Sequence, residues 1–279
     1  MTAEGTEQDG TLDLQLDRAH SARIYDYLLG GKTNYALDRE AAEAAMRVHP
    51  HARTVARVNR AFMHRVTEYL AGRGIRQWLD IGTGIPTSPN LHEVAQSIRP
   101  DARIVYADKD RIVLAHAAAL MDGRPEGRIA YVHGDATRPE TILNAPELTS
   151  TLDLDEPVAV SLNALLHFVP DGPAGPREIV GTLLDPLPPG SVLALTHATR
   201  DLDPELWDGI VRVYRGTSAP LHLRTREEVA ALFDGLDLVS PGLVLAHRWR
   251  PKDSGLGSAE PIGDAEVSLW AGVAVKPGA

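Results

Sequence analysis

The hydrophobic pattern of the first part of the chain is helical. Apolar residues recur at the three- and four-residue spacing of an α-helix over residues 52–71. Two shorter helices are predicted before it, over residues 19–29 and 38–48. Residues 1–18 are polar and low in hydrophobicity. The chain is therefore predicted to begin with a disordered tail, followed by a helical extension over residues 19–74.

From residue 75 onward the pattern changes to short apolar or β-branched runs that alternate with helical candidates. Strands are predicted over residues 77–81, 103–107, 128–132, 157–162 and 191–196. Helices are predicted over residues 88–98, 111–121 and 174–187, with a weaker candidate after Thr137. This alternation is typical of a parallel sheet covered on both faces, and right-handed crossovers make the sheet doubly wound.

The last part of the chain is predicted to complete the sheet. Helices are predicted over residues 204–215 and from Thr225, and strands over 243–246 and 267–275, with a loop over 251–264 between the strands. The two strands are expected to form an antiparallel pair at the sheet edge. The predicted fold class is α/β: a doubly wound, mostly parallel, seven-stranded Rossmann-like sheet over residues 75–279, in one unit with the helical extension.

Composition narrows the function classes. The 279 residues carry a formal net charge of −10, which argues against nucleic acid or an anionic membrane as a partner. The absence of cysteine excludes disulfides and thiolate metal sites. The first ten residues are polar and acidic, unlike a signal peptide, and no apolar run approaches the ~18 residues of a membrane span, so a cytoplasmic location is predicted.

The strongest local signal follows the first predicted strand. The strand ends in Asp80, and Gly82 and Gly84 form a loop before a helix whose cap is predicted at Thr87 or Ser88. Glycines permit both a tight turn and a close approach of a ligand to the backbone. The dinucleotide fingerprint would need a third glycine at Thr87, which argues against a nicotinamide-dependent oxidoreductase. An ordinary strand–turn–helix junction is the alternative.

Asp108 ends the second predicted strand and lies 24 residues after Gly84. In related nucleotide-binding folds an acid about 20 residues after the glycines accepts the ribose hydroxyls. Asp110 is the competing candidate, and a helix cap is the structural alternative for either residue. Lys109, between the two acids, is included in the predicted site.

The Leu-Asp-Ile-Gly-Thr-Gly run resembles the first motif of the class I S-adenosylmethionine-dependent methyltransferases. The resemblance implies that Asp80 contacts the amino-acid end of the cofactor, while Gly82, Thr83 and Gly84 pass beneath it. Pro86 stands where the family usually has a third glycine, which is a departure from the pattern.

Two further motifs resemble the same superfamily. Asp135 and Ala136 follow the third predicted strand, and the resemblance implies that they contact adenine. A surface turn is the alternative at this position. Asn163 and Ala164 follow the fourth strand, and the resemblance implies that they lie near the methionine end of the cofactor.

No catalytic group stands out in the sequence. His167, His197 and Tyr27 are candidate bases, needed only if the acceptor loses a proton as it reacts. A structural role is the alternative for His167, which lies among apolar residues. The other histidines lack metal-ligand spacing, so no metal site is predicted.

The segment over residues 22–43 closely resembles the start of a bacterial family common in streptomycetes and other actinobacteria. This family, once listed as a domain of unknown function, is now called the S-adenosyl methyltransferase family. The runs over residues 92–96 and 248–251 fit the same family. The resemblance implies a methyltransferase fold and S-adenosyl-L-methionine as the cofactor; the substrates of the family are poorly defined.

Arg23, Lys32 and Asn34 make this N-terminal segment rich in groups that hold ligands. One interpretation is a lid that closes over the cofactor through these three side chains. The other is a structural clasp, in which Arg23 pairs with Asp26 at helical spacing.

The function hypothesis is methyl transfer from S-adenosylmethionine to an unidentified, small-molecule acceptor. No covalent intermediate is required, because holding donor and acceptor at reacting distance supplies much of the catalysis. The alternative is a sensor or interaction protein that binds the cofactor without turnover. The sequence predicts neither the acceptor nor the oligomeric state.

Overall fold

The computed structural model describes residues 16–251 and 262–278. Most of the tail predicted over residues 1–18 and most of the loop predicted over residues 251–264 lie outside these ranges. No helix among the described residues is both long and apolar enough to cross a lipid bilayer.

In the part of the chain that the structure describes, three helices precede the sheet, as predicted: α1 (Ser21–Leu29), α2 (Ala36–Val48) and α3 (Ala52–Gly72). Helix α1 ends at Gly30, whose φ of 87° is a left-handed conformation that favours glycine. Helix α2 begins two residues before the predicted Asp38. Asp38 is the third residue of the first turn, and its Oδ2 accepts the Tyr35 N–H at 2.9 Å. Asp38 therefore gives a hydrogen-bond partner to the backbone N–H of the residue that precedes the helix.

The sheet domain follows the predicted alternation of strands and helices. Its elements up to the fifth strand are β1 (Gln77–Ile81), α4 (Leu91–Ile98), β2 (Arg103–Asp108), α5 (Arg111–Leu120), β3 (Arg128–His133), α6 (Glu140–Leu143), α7 (Pro146–Thr151), β4 (Val158–Asn163), a 3₁₀ turn (Leu166–Phe168), α8 (Pro176–Leu184) and β5 (Val192–Ala198). The remaining elements are α9 (Pro204–Tyr214), α10 (Arg226–Ala230), β6 (Asp237–Leu238), β7 (Val244–Leu245), α11 (Asp264–Val267) and β8 (Leu269–Val275).

The strand order is β3-β2-β1-β4-β5-β8-β6, and β7 also pairs with β8. Strands β1 to β5 are parallel, whereas β8 is antiparallel to β5. The doubly wound, mostly parallel sheet is thus confirmed, and within the described residues it has eight strands where seven were predicted. The additional strand is β6, whose two residues are both exposed and therefore carry no apolar signal. The predicted antiparallel pair is β7 with β8.

The sheet is covered on both faces, as the buried strands require. Trp78 and Ile104 belong to one apolar cluster, while their neighbours Leu79 and Val105 belong to the other. Alternate side chains of a strand point to opposite faces, so each strand contributes to both cores. The strand order reverses at β1, because β2 and β3 lie on one side of it and β4 and β5 on the other. A crevice opens at the carboxyl ends of such strands.

Several local predictions differ from the structure. The strand predicted over residues 267–275 begins at Leu269, because Val267 ends α11. Helix α4 begins at Leu91, three residues after the predicted start, because Asn90 and Glu93 form a capping box there. The glycine loop is correspondingly longer. The weak helix after Thr137 is two short helices, α6 and α7.

The helical extension packs on one side of this crevice. Helix α3 contacts α4 and β4, and α1 and α2 pack on α3 around a small cluster that contains Ile24, Leu28 and Ala42. The N-terminal segment therefore has apolar contacts of its own. The division of the chain at residue 74 into an extension and a sheet domain stays a prediction.

Candidate functional site

A cavity of about 260 Å³ lies where the carboxyl ends of β1 to β4 meet helices α1, α3 and α9. Its wall contains the main residues that the sequence singled out after each strand: Asp80, Gly82, Thr83, Gly84, Asp108, Lys109, Asp135, Ala136, Asn163, Ala164 and His167. The topology therefore brings four separate stretches of the chain to one place.

The glycine loop after β1 needs its glycines. Gly82 and Gly84 have φ values of 73° and 67°, in the left-handed region. A Cβ on Gly82 would lie 2.7 Å from Leu165 Cδ1, whereas a Cβ on Gly84 would meet nothing within 4 Å. Gly84 lines the cavity. The absence of a side chain at Gly84 therefore leaves room for a ligand against the backbone of the loop. Pro86, which was also included in the predicted site, lies outside the cavity wall.

Asp80 presents a carboxyl group to the cavity from the end of β1. Burial raises its pKa to about 6, and a hydrogen bond from Ser161 and the charge of Arg60 only partly offset that effect. Arg60, on α3, lines the same cavity and donates to the Thr87 and Pro89 carbonyls beyond the glycine loop. Because burial disfavours the ionised carboxylate, a ligand that carries a positive charge would stabilise that ionised form.

Asp108 is 8% exposed and uses both carboxyl oxygens to fix the loop geometry. Oδ2 accepts the Gly84 N–H at 3.1 Å, and Oδ1 accepts the Asp110 N–H at 2.9 Å. Burial raises the pKa of Asp108, and these two bonds lower it. Each oxygen keeps a lone pair for a further donor.

The competing acid, Asp110, lies outside the wall. It caps α5 by accepting the Ile112 N–H at 2.8 Å, and its other oxygen lies 3.4 Å from His20 Nε2. Asp110 therefore has the structural role that was the alternative for both acids.

Asp135 and Ala136 place two polar groups side by side in the loop after β3. Asp135 Oδ1 accepts both the N–H and the hydroxyl of Thr137 at 2.9 Å, which leaves Oδ2 available. The Ala136 N–H has no hydrogen-bond partner within the described part of the chain. An acceptor and a donor on adjacent residues match the pattern of one edge of a heterocyclic base.

Asn163 and Ala164 form the equivalent position after β4. Asn163 Nδ2 donates to Ser161 Oγ at 2.7 Å, and its Oδ1 has no partner within the described residues. Ala164 has a φ of 52°, unusual for a residue with a side chain, and its N–H donates to Thr196 Oγ1 at 2.7 Å. Thr196 thus stabilises a strained turn in the cavity wall.

The two candidate histidines are held neutral, and only His167 lines the cavity. Burial keeps the pKa of His167 well below its usual value, and the neighbouring His197 and Arg224 lower it further. His167 Nδ1 accepts the Ala198 N–H at 3.3 Å, so its proton lies on Nε2. Burial also lowers the pKa of His197 to about 4, and its Nε2 accepts from Arg224 at 3.0 Å. Neither imidazole is poised as a strong base.

The N-terminal segment contributes to the wall through residues other than those predicted. Arg23, Lys32, Asn34 and Tyr27 do not line the cavity. Arg23 pairs with Asp38 at 2.9 Å, in place of the predicted Asp26. Asp26 Oδ2 instead accepts from the Asn34 side chain at 2.7 Å. The side chain of Lys32 is exposed, and the Tyr27 hydroxyl donates to Glu43 at 3.1 Å.

Helix α1 and the residue before it reach the cavity through His20, Ser21, Ala22, Tyr25 and Leu28. Tyr25 begins a chain of hydrogen bonds that ends at the turn after β4. Asn59 Nδ2 donates to the Tyr25 hydroxyl at 2.8 Å, and Thr196 Oγ1 donates to Asn59 Oδ1 at 2.6 Å. These hydrogen bonds link α1 and α3 to the backbone of Ala164.

Sequence reasoning missed Asn59, Arg60, Trp207 and Tyr214, which also line the cavity. These residues lie on the amphipathic helices α3 and α9, where an inward-facing polar or aromatic residue resembles an ordinary core position. Within the described residues no group of three or more His, Asp or Glu side chains is placed to hold a metal ion.

Comparison with known proteins gives a consistent result. The model of the family described as S-adenosyl methyltransferase matches residues 7–277. A DUF574 family protein of known crystal structure from Streptomyces avermitilis is 47% identical, covers 94% of this chain and 98% of that chain, and has a TM-score of 0.89. A candidate methyltransferase from Thermobifida fusca is 35% identical, covers 94% and 97% of the two chains, and has a TM-score of 0.84.

A more distant structure shares only the fold. The plantazolicin methyltransferase BamL, solved with S-adenosylhomocysteine and a desmethylplantazolicin analogue, is 12% identical over 91% of this chain and 95% of that chain, with a TM-score of 0.51. No curated protein matches this chain.

Proposed function

Since this chain belongs to the S-adenosyl methyltransferase family, we propose that it transfers a methyl group from S-adenosylmethionine to a small molecule. The observation that carries the proposal is the convergence of Asp80, Gly84, Asp108, Asp135 and Asn163 on one cavity. They come from the carboxyl ends of four strands, β1 to β4, or from the loops after them, where nucleotides bind in doubly wound sheets.

The residues fit the chemical groups of the cofactor one by one. The Asp80 carboxylate and the unpartnered Asn163 oxygen match an ammonium group. Asp108 offers two acceptor oxygens for ribose hydroxyls, beside the open space at Gly84. Asp135 Oδ2 and the Ala136 N–H match the amino group and a ring nitrogen of adenine. Arg60 supplies a positive charge near Asp80 for a carboxylate.

In the proposed mechanism the protein mainly positions the reactants. When bound, the cofactor would supply an electrophilic methyl group on a sulfonium. An acceptor lone pair would bond to this carbon in line as the carbon–sulfur bond breaks, with the neutral thioether as the leaving group, and any proton on the acceptor atom would pass to solvent. Asp80 and Asp135 would hold the two ends of the donor and Asp108 its ribose, while α1 and α9 close the cavity and exclude water. His167, with its proton on Nε2, serves as a neutral hydrogen-bond donor in the wall, and no strong base is required of it.

The alternative, a sensor without turnover, predicts a cavity with no room for an acceptor. The wall of the cavity also contains Phe168 and Tyr214, which are not assigned to the donor.

Calorimetric titration with S-adenosylhomocysteine tests the proposal. We expect wild-type protein to bind, and Gly84→Val to lose binding because its side chain fills the open space in the cavity wall. Gly235→Val is the matched control, since Gly235 has a φ of +80°, also has open space at its Cβ, and lies outside the cavity. Circular dichroism checks that both variants fold. Absence of binding to the wild type, or equal binding by both folded variants, would contradict the proposal.

A further inference from the structure

The charged part of the cavity wall is confined to one region. Within the described residues the charged side chains of the wall are Arg60, Asp80, Asp108, Lys109 and Asp135. All five lie at the sheet edge or beside the glycine loop, and the proposed function assigns this region to the donor. The rest of the wall therefore carries no charged side chain.

The remaining wall is apolar and aromatic. Helix α9 contributes Trp207, Ile210 and Tyr214, whose spacing of three and four residues places them on one face of the helix. Helix α3 contributes Met63, and the turn after β4 contributes Phe168. The Phe168 ring lies 6.1 Å from the Tyr214 ring and 4.5 Å from the His167 ring. A row of rings favours a flat, apolar occupant.

The hydrogen-bonding groups in this half are uncharged. Tyr214 lines the cavity, and its hydroxyl makes no hydrogen bond within the described residues. Burial raises the pKa of Tyr214 to about 12, so the hydroxyl keeps its proton. His167 is neutral, since burial, His197 and Arg224 all lower its pKa. Arg224, whose charge reaches His167, lies outside the wall and pairs with Asp171. A ligand charge placed here would therefore have no direct partner, and an unpaired buried charge is strongly unfavourable.

We propose that this half of the cavity binds the methyl acceptor, and that the acceptor is an uncharged, ring-bearing small molecule with a polar group that hydrogen-bonds to the Tyr214 hydroxyl. Carboxylates and protonated amines of the same size are excluded. The assignment of the acceptor to this half rests on the proposed function, and the acceptor class rests on the wall.

Four probes that share the naphthalene ring system and differ in its substituent test the acceptor class: 2-naphthol, naphthalene, 2-naphthoate and 2-naphthylmethylammonium. Each is titrated by ligand-observed NMR against protein loaded with S-adenosylhomocysteine. We expect 2-naphthol to bind roughly tenfold or more tightly than either charged probe. The inference is overturned if a charged probe binds as tightly as 2-naphthol, or if none of the four binds to the loaded protein.

Tyr214→Phe tests the proposed hydrogen bond. We expect it to weaken 2-naphthol roughly two- to tenfold, as for one neutral hydrogen bond, and to leave naphthalene unchanged. Tyr69→Phe is the control, because Tyr69 lies on α3 outside the cavity wall. Equal 2-naphthol affinity in both variants contradicts the role of Tyr214. Loading with S-adenosylhomocysteine is measured first: failure at that step refutes the proposed function, whereas failure after loading refutes only the acceptor class.

Discussion

The raised pKa of Asp80 leads to a specific dependence of cofactor binding on pH. If the Asp80 carboxylate meets the ammonium group of the cofactor, binding requires the ionised form. Burial raises the pKa of Asp80 in the free protein to about 6, while Ser161 and Arg60 lower it and Asp108 raises it. The bound ammonium lowers this pKa, so binding releases a proton below about pH 6.

The size of the effect follows from that pKa. At pH 5, one unit below the pKa of about 6, only roughly one Asp80 in ten is ionised before binding. The dissociation constant should therefore be roughly tenfold larger at pH 5 than on the plateau above pH 7, or about 1.4 kcal/mol. The same raised pKa implies that the stability of the free protein falls as pH rises from about 4 to about 6, since the folded state binds the proton more tightly.

Calorimetry with two ligands separates Asp80 from other titrating groups. S-adenosylhomocysteine carries the amino-acid end, whereas 5′-methylthioadenosine lacks it and keeps the ribose and adenine. We expect the tenfold change for the first ligand and none for the second. Asp80→Asn should flatten the profile, while Asp110→Asn, a change of an acid outside the wall, should preserve it. A flat wild-type profile for S-adenosylhomocysteine, or equal profiles for both ligands, would refute the contact.

Three further predictions concern the walls of the cavity. Asp108→Ala should weaken S-adenosylhomocysteine by about 1.5–3 kcal/mol, and a 2′,3′-dideoxy analogue should lose little further affinity; equal binding of parent and analogue by the wild type would exclude ribose recognition. Asn59→Ala should lower the free energy of unfolding in urea by about 1–3 kcal/mol, because it leaves buried partners unpaired, while the exposed Asn144→Ala should change it little. Hydrogen exchange should show the amides of α1 protected without cofactor, because Ile24 is buried and Tyr25 is bonded to Asn59; protection that requires cofactor would identify a lid.

The sheet was predictable because its signals are local. Five buried strands alternate with helices, and strand–helix alternation permits few topologies. Gly82 and Gly84 could be identified because their left-handed backbone conformation restricts the residue type. The start of α4 was misplaced although its signal, Asn90 with Glu93 three residues later, is also local. Strand β6 had no signal, since both of its residues are exposed.

The helical part of the site was not predictable in detail, because its contacts are long-range. Arg23 was predicted to meet the cofactor, but it pairs with Asp38, fifteen residues away and in the next helix. Asn59 reaches Thr196 across 137 residues, and no local pattern indicates that bond. Tyr214 and Trp207 read as core residues of an amphipathic helix, and only the tertiary fold reveals that a cavity lies beside them.

A crystal structure of the protein with S-adenosylhomocysteine tests the central claim most directly. The account predicts density for the ligand in the cavity, with its ribose hydroxyls within hydrogen-bonding distance of Asp108, its ammonium at Asp80 and its adenine amino group at Asp135. Its sulfur should face the half of the cavity lined by Phe168 and Tyr214. An empty cavity at saturating ligand, or a ligand bound with its sulfur turned away from that half, would contradict the account.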